Sequence, residues 1–130
     1  MIVVDASVLV DVIFRHPITA AIERRFSEVQ WSLHAPHLID IEVAQVVRRH
    51  VRAGDLDPDR GRESLEVLVD FPVQRYAHPF LLPRIWELRH NLSAYDASYV
   101  ALAEVLDMPL LTRDRRLATA AGAHTAIELV

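Results

Sequence analysis

Short apolar runs separated by longer helical stretches constrain this chain more than any other feature. Ile2 to Val4, Trp31 to Ala35, Val73 to Ala77, Leu110 to Thr112 and Thr125 to Leu129 read as strands. Strands joined through helices pair in parallel, because a parallel partner needs a long crossover rather than a tight turn. A parallel sheet must be covered on both faces. The expected architecture is therefore α/β: a single α/β/α sandwich over residues 1–130, with a parallel central sheet of about five strands.

The connecting segments carry helix punctuation. Ser7 is placed to cap a helix over Val8–Phe14, and Pro17 to open one reaching about Val29. From His37 to Ala53, Leu38, Ile41, Ala44, Val47 and Val51 recur at three- and four-residue steps, which predicts an amphipathic helix ended by Gly54. Asp57-Pro58 supplies an N-cap and a first-turn proline for a helix that turns Leu65, Leu68 and Val69 inward and stops at Phe71-Pro72. Pro79 or Pro83 starts a helix ending near His90. Ser93 caps another, with Ala97, Val100, Ala101 and Val105 on its apolar face. A last short helix is expected over Arg115–Ala121.

Four acids stand where these elements meet. Asp5 closes the first strand, Asp114 follows the strand at Leu110, and Glu42 and Asp96 fall in the opening turns of two helices. In an open parallel sheet such positions share the carboxyl edge of the strands, where ligands bind. Each acid has a plain structural reading as well. Asp5 and Asp114 can cap helices, Ser93-x-x-Asp96 matches a capping box, and an acid early in a helix is favoured by its dipole. Asp40 projects about 200° from Glu42 around the helix and is not expected to share its site. Asp11 is expected to face solvent. Together, carboxylates on one edge call for a divalent cation, magnesium or manganese, which prefers oxygen ligands and water.

Composition removes the competing chemistries. There is no cysteine, so disulfides, thiolate zinc sites and cysteine nucleophiles are excluded. All 14 basic residues are arginine, so no mechanism can rely on lysine. A receiver-type signalling domain and a haloacid-dehalogenase-like phosphatase both need one. The histidines lack zinc-helix spacing, and Trp31 and Trp86 read as packing residues. The net charge of −4 argues against gripping nucleic acid by overall potential. No apolar run reaches membrane-spanning length, and a cytoplasmic protein is expected.

The segments Val3-Val4-Asp5-Ala6-Ser7, Ala35-Pro36 through Ile41-Glu42-Val43-Ala44, Ala94-Tyr95-Asp96-Ala97-Ser98-Tyr99-Val100-Ala101-Leu102-Ala103 and Leu111-Thr112-Arg113-Asp114 resemble the PIN-domain ribonucleases, and among them the VapC-type toxins. No one motif is specific; the four in order across the whole chain are. The resemblance implies an endoribonuclease using Mg2+ or Mn2+ held by Asp5, Glu42, Asp96 and Asp114, with Ser7 and Thr112 in support. It implies a homodimer silenced by a VapB-type antitoxin. Arg113, Arg115 and Arg116 are the expected rim contacts to the RNA backbone. The alternative is a non-catalytic partner-binding or scaffold subunit whose acids only cap helices.

Overall fold

Sheet order places the site. A computed structural model describing residues 1–130 has strands β1 (Ile2–Val4), β2 (Leu33–Pro36), β3 (Val73–Tyr76), β4 (Leu110–Thr112) and β5 (Ile127–Leu129). They form one sheet in the order β3-β2-β1-β4-β5, and every pairing is parallel. The chain builds outward from β1 in one direction through β2 and β3, then in the other through β4 and β5. The reversal lies between β1 and β4, and beyond the carboxyl ends of those strands a crevice opens.

The helices are α1 (Ala6–Ile13), α2 (Thr19–Glu28), α3 (Leu38–Ala53), α4 (Pro58–Asp70), α5 (Leu82–Glu87), α6 (Ala94–Leu106) and α7 (Arg115–Ala118), with a 3-10 turn at Pro79–Leu81. α1 packs on α2, α3 and α4, while α5 packs on α6. Every residue of α6 from Ala97 to Ala103 is buried, and the helix lies against β1, β2 and β4. Small side chains at Ala97, Ser98, Ala101 and Ala103 let it approach the sheet closely. No helix is long and apolar enough to cross a membrane.

The caps fall largely where expected. Gly54 ends α3 in the left-handed conformation (φ +82°), Asp57 accepts the Asp59 amide at the start of α4, and Ser93 accepts the Asp96 amide at the start of α6. Several expectations fail. Trp31 has φ +57° and lies before β2, so that strand begins at Leu33. The first helix starts at Ala6 and its cap is Asp5, not Ser7: Asp5 Oδ1 accepts the Val8 amide at 3.2 Å. Val69 and Val105 are exposed, as is Trp86, whose ring carries the Arg89 guanidinium at 4.5 Å. On α3 the buried stripe is Ile39, Val43 and Val47, and Ile41 is 69% exposed. The last helix and last strand are shorter than expected.

Candidate active site

Parallel register brings the first two site residues together. Val4 pairs with Leu111, so the residues just beyond them, Asp5 and Thr112, become neighbours across the crevice. The Thr112 hydroxyl donates to Asp5 Oδ2, and the Ser7 hydroxyl donates to Asp5 Oδ1 at 2.5 Å. Each hydroxyl in turn accepts a backbone N–H, Thr112 from Asp114 at 2.9 Å and Ser7 from Arg113 at 3.0 Å. An accepted amide leaves the hydroxyl proton free to point at the carboxylate. A carboxylate has about four acceptor sites; Oδ1 uses two, on Ser7 and Val8, and Oδ2 keeps one open.

A cavity of about 450 Å³ lies over this point and is lined by all four acids, Asp5, Glu42, Asp96 and Asp114. Their capping roles do not remove them from it. Ser93 accepts the backbone N–H of Asp96, and the Asp96 side chain, also within reach of the Ser93 hydroxyl, still lines the cavity. Asp114 caps α7, accepting the Arg116 amide at 2.8 Å, and still lines the cavity. Glu42 reaches in from α3 and accepts a hydrogen bond from the buried Tyr99 hydroxyl at 3.1 Å. Tyr99 was not singled out in the sequence; its place three residues after Asp96, one helical turn on, was the available signal.

Acids outnumber cations around the cavity, whose lining holds four carboxylates and one arginine, Arg49. Asp5, Glu42 and Asp96 have no arginine or histidine within 4.0 Å; Asp114 has Arg116 at 3.8 Å, almost fully in solvent. Burial raises the Asp5 pKa despite its hydrogen bonds. Burial also raises Glu42, against the Tyr99 hydrogen bond and with the charges of Asp96 and Asp5 adding to the rise. Asp96 is raised by burial, against the Ser93 hydrogen bond and the Arg116 charge and with the Asp114 charge adding to the rise. Tyr99 is pushed up too, first by burial and then by the carboxylates around it.

These donors suit a hard divalent cation: carboxylate and hydroxyl oxygens, with neither thiolate nor imidazole among the lining residues. No three acidic or histidine side chains close on a common point as a ready-made cage. Magnesium does not require one, since it usually keeps several waters and takes one or two carboxylates directly.

The expected arginine rim is different. Arg113 points away from the cavity: its Nε donates to Asp11 Oδ2 at 2.7 Å and its Nη1 to the Val130 carbonyl at 2.7 Å. Asp11 is correspondingly not in solvent. It is 9% exposed and also holds His16 Nδ1 at 2.5 Å. Arg115 and Arg116 are exposed and do not line the cavity. Asp40 is taken up by Arg75, at 2.8 and 3.0 Å. The cavity wall instead carries Arg49, Gln45 and Tyr95, together with apolar Leu38, Ile41 and Val46.

The PIN domain family profile matches residues 2–123. Ribonuclease VapC1 of Mycobacterium tuberculosis is 43% identical over 129 residues, covering 98% of this chain and 96% of that protein. VapC ribonuclease Mb0985 of Mycobacterium bovis is 47% identical over 98 residues, covering 75% and 77%. The fold is also that of a toxin-antitoxin complex from Klebsiella pneumoniae, with a TM-score of 0.66, 15% identity and coverage of 98% and 96%.

Proposed function

The chain belongs to the PIN domain family and is a ribonuclease of the VapC type, and on that premise we propose that Asp5, Glu42, Asp96 and Asp114 form its catalytic centre around Mg2+ or Mn2+. The observation that carries the reading is the group of three cavity carboxylates, Asp5, Glu42 and Asp96, that form no ion pair within 4.0 Å. Asp5 and Asp96 would hold the ion, with Asp114 and Glu42 reaching it directly or through water. An ion held by these residues would supply a bound water of lowered pKa and positive charge for the oxygen leaving the phosphodiester.

The chain's own groups do the rest. Ser7 and Thr112 hold Asp5 so that its open acceptor site faces the cavity. Tyr99 fixes Glu42 through Oε2, leaving Oε1 to accept the proton of the attacking water. A carboxylate whose pKa is raised is better matched to that role near neutrality.

As the toxin of a toxin–antitoxin pair, it would be silenced by a VapB-type antitoxin occupying the cavity mouth, whose exposed apolar residues include Ile41. The exposed Phe80, Leu82 and Trp86 support association of two copies. A cytoplasmic setting goes with this reading.

The test is cleavage of RNA with Mg2+, with Mn2+ and with chelator. Cleavage should require the metal, and either ion should raise the melting temperature. Metal-independent cleavage, or no effect of either ion on melting, would reject the centre as drawn.

A further inference from the structure

The strand to be cut needs a local grip, because the protein carries a net charge of −4 and its cavity concentrates four acids. Arg113 is unavailable for it. Two other cavity residues have the right chemistry. Tyr95 precedes Asp96, lines the cavity and is 63% exposed. An aromatic ring left that far in water beside a carboxylate contributes little to the core, which here is built from other residues of the same helix. Arg49 lines the cavity from α3, two turns beyond Glu42, is exposed, and has no carboxylate within 4.0 Å.

We infer that Tyr95 is the stacking platform for a nucleobase next to the scissile phosphate and that Arg49 holds a neighbouring phosphate. This rests on the ribonuclease reading above. The division of labour follows from the site. A base offers a flat apolar face, which suits an exposed ring in a cavity that Leu38, Ile41 and Val46 also line. A phosphate oxygen pair suits a guanidinium fork. Stacking on a single ring requires a base that is already out of its helix, and aromatic platforms accordingly serve loops and single strands rather than duplexes. Because every base has such a face, Tyr95 selects only weakly for sequence.

Binding of a fluorescent single-stranded RNA oligonucleotide containing 2-aminopurine tests this, in a Glu42→Gln background that suppresses cleavage. Tyr95→Leu should weaken binding roughly 5- to 140-fold, the range of one lost base–aromatic stack, and abolish the quenching of 2-aminopurine. Tyr95→Phe should restore both. Arg49→Gln should lower the slope of log affinity against log salt by about 0.7, with Arg49→Lys retaining it. The same RNA annealed into a duplex should bind weakly and be indifferent to Tyr95. With Glu42 restored, Tyr95→Leu should lower kcat/KM on the single strand by a factor similar to its loss of binding.

Unchanged binding and quenching in Tyr95→Leu would overturn the stacking role, and an unchanged salt slope in Arg49→Gln would overturn the phosphate contact. Either result, with the parent protein still binding and cutting RNA, leaves the ribonuclease reading intact. A parent that neither binds nor cuts RNA overturns both. Both side chains are exposed, so their replacement should leave the melting temperature in place.

Discussion

Asp5 and Asp11 lie six positions apart at the two ends of α1, and both are buried, at 7% and 9% exposure. Their surroundings are opposite. Asp11 is held by Arg113 and His16, the usual way to make a buried carboxylate tolerable. Asp5 receives only neutral donors, two hydroxyls and one amide, and its nearest charged companions are other acids. The same residue type is thus used once to pin the structure and once to leave a negative site open. The two uses are physically joined, because Arg113 lies between Thr112 and Asp114. Its side chain pins that turn to α1, and its backbone N–H sets the Ser7 hydroxyl on Asp5.

Removing the open acid should have the largest effect. Asp5→Ala should lower kcat/KM for RNA cleavage by on the order of 100-fold or more, since it removes the acceptor that orders Ser7 and Thr112 and, in the proposed centre, a ligand of the ion. Circular dichroism should show a folded protein. Cleavage at the level of the parent would place the chemistry elsewhere.

Breaking the compensated acid should instead cost stability. Arg113→Ala leaves Asp11 buried beside only His16 and should destabilise the fold by about 1–3 kcal/mol; the value sits below that of a fully buried pair because Arg113 is partly in solvent. Urea unfolding measures it. Adding Asp11→Asn to Arg113→Ala should recover part of the loss. A loss that persists in full would mean that the Val130 contact, not the ion pair, carries the effect.

The smallest effect is the most diagnostic of the contrast. The folded pKa values of Asp5, Glu42 and Asp96 lie above their ordinary values, so folding favours their protonated forms. The stability this contributes is present at low pH and is lost as pH rises through the raised folded values. Metal-free protein should therefore gain melting temperature as pH falls from neutrality toward the ordinary Glu value of 4.5. Further into acid, Glu104 opposes the trend. Burial alone would raise it, but hydrogen bonds from Arg84 and the His124 amide hold it low, so its contribution is lost as pH falls through that lowered value. Glu42→Gln should stabilise the metal-free protein at neutral pH and flatten the profile. Saturating Mg2+ should flatten the parent's profile too. A metal-free parent whose melting temperature falls steadily with acid would contradict the excess of acids over cations in the cavity.

Much of the fold was legible because its signals are local. Gly54 after a periodic run, Pro58 behind Asp57 and Ser93 three residues before Asp96 each act within one helical turn, and the caps form there. The faces of helices were less legible. Two apolar stripes run along α3, and periodicity alone does not say which meets the core and which lines a cavity. Ile39, Val43 and Val47 took the first role and Ile41 the second, while Leu38 and Val46 line the cavity and pack on the edge of the core. Arg113 looked like a rim cation because nothing near it in the chain is acidic except Asp114. Its partner, Asp11, is 102 positions away.

The sequence by itself determined the alternation of strands and helices, where most helices stop and start, and that Asp5, Glu42, Asp96 and Asp114 stand at element ends. Those properties depend on neighbours within a few residues. Only the tertiary structure decided which carboxylates would be neutralised. The β3-β2-β1-β4-β5 order and the Val4–Leu111 register bring Thr112, rather than an arginine, to Asp5, while turning the very next side chain, Arg113, onto Asp11. Successive residues leaving a strand point to opposite sides, so one step along the chain separates a hydroxyl for the open acid from a cation for the closed one.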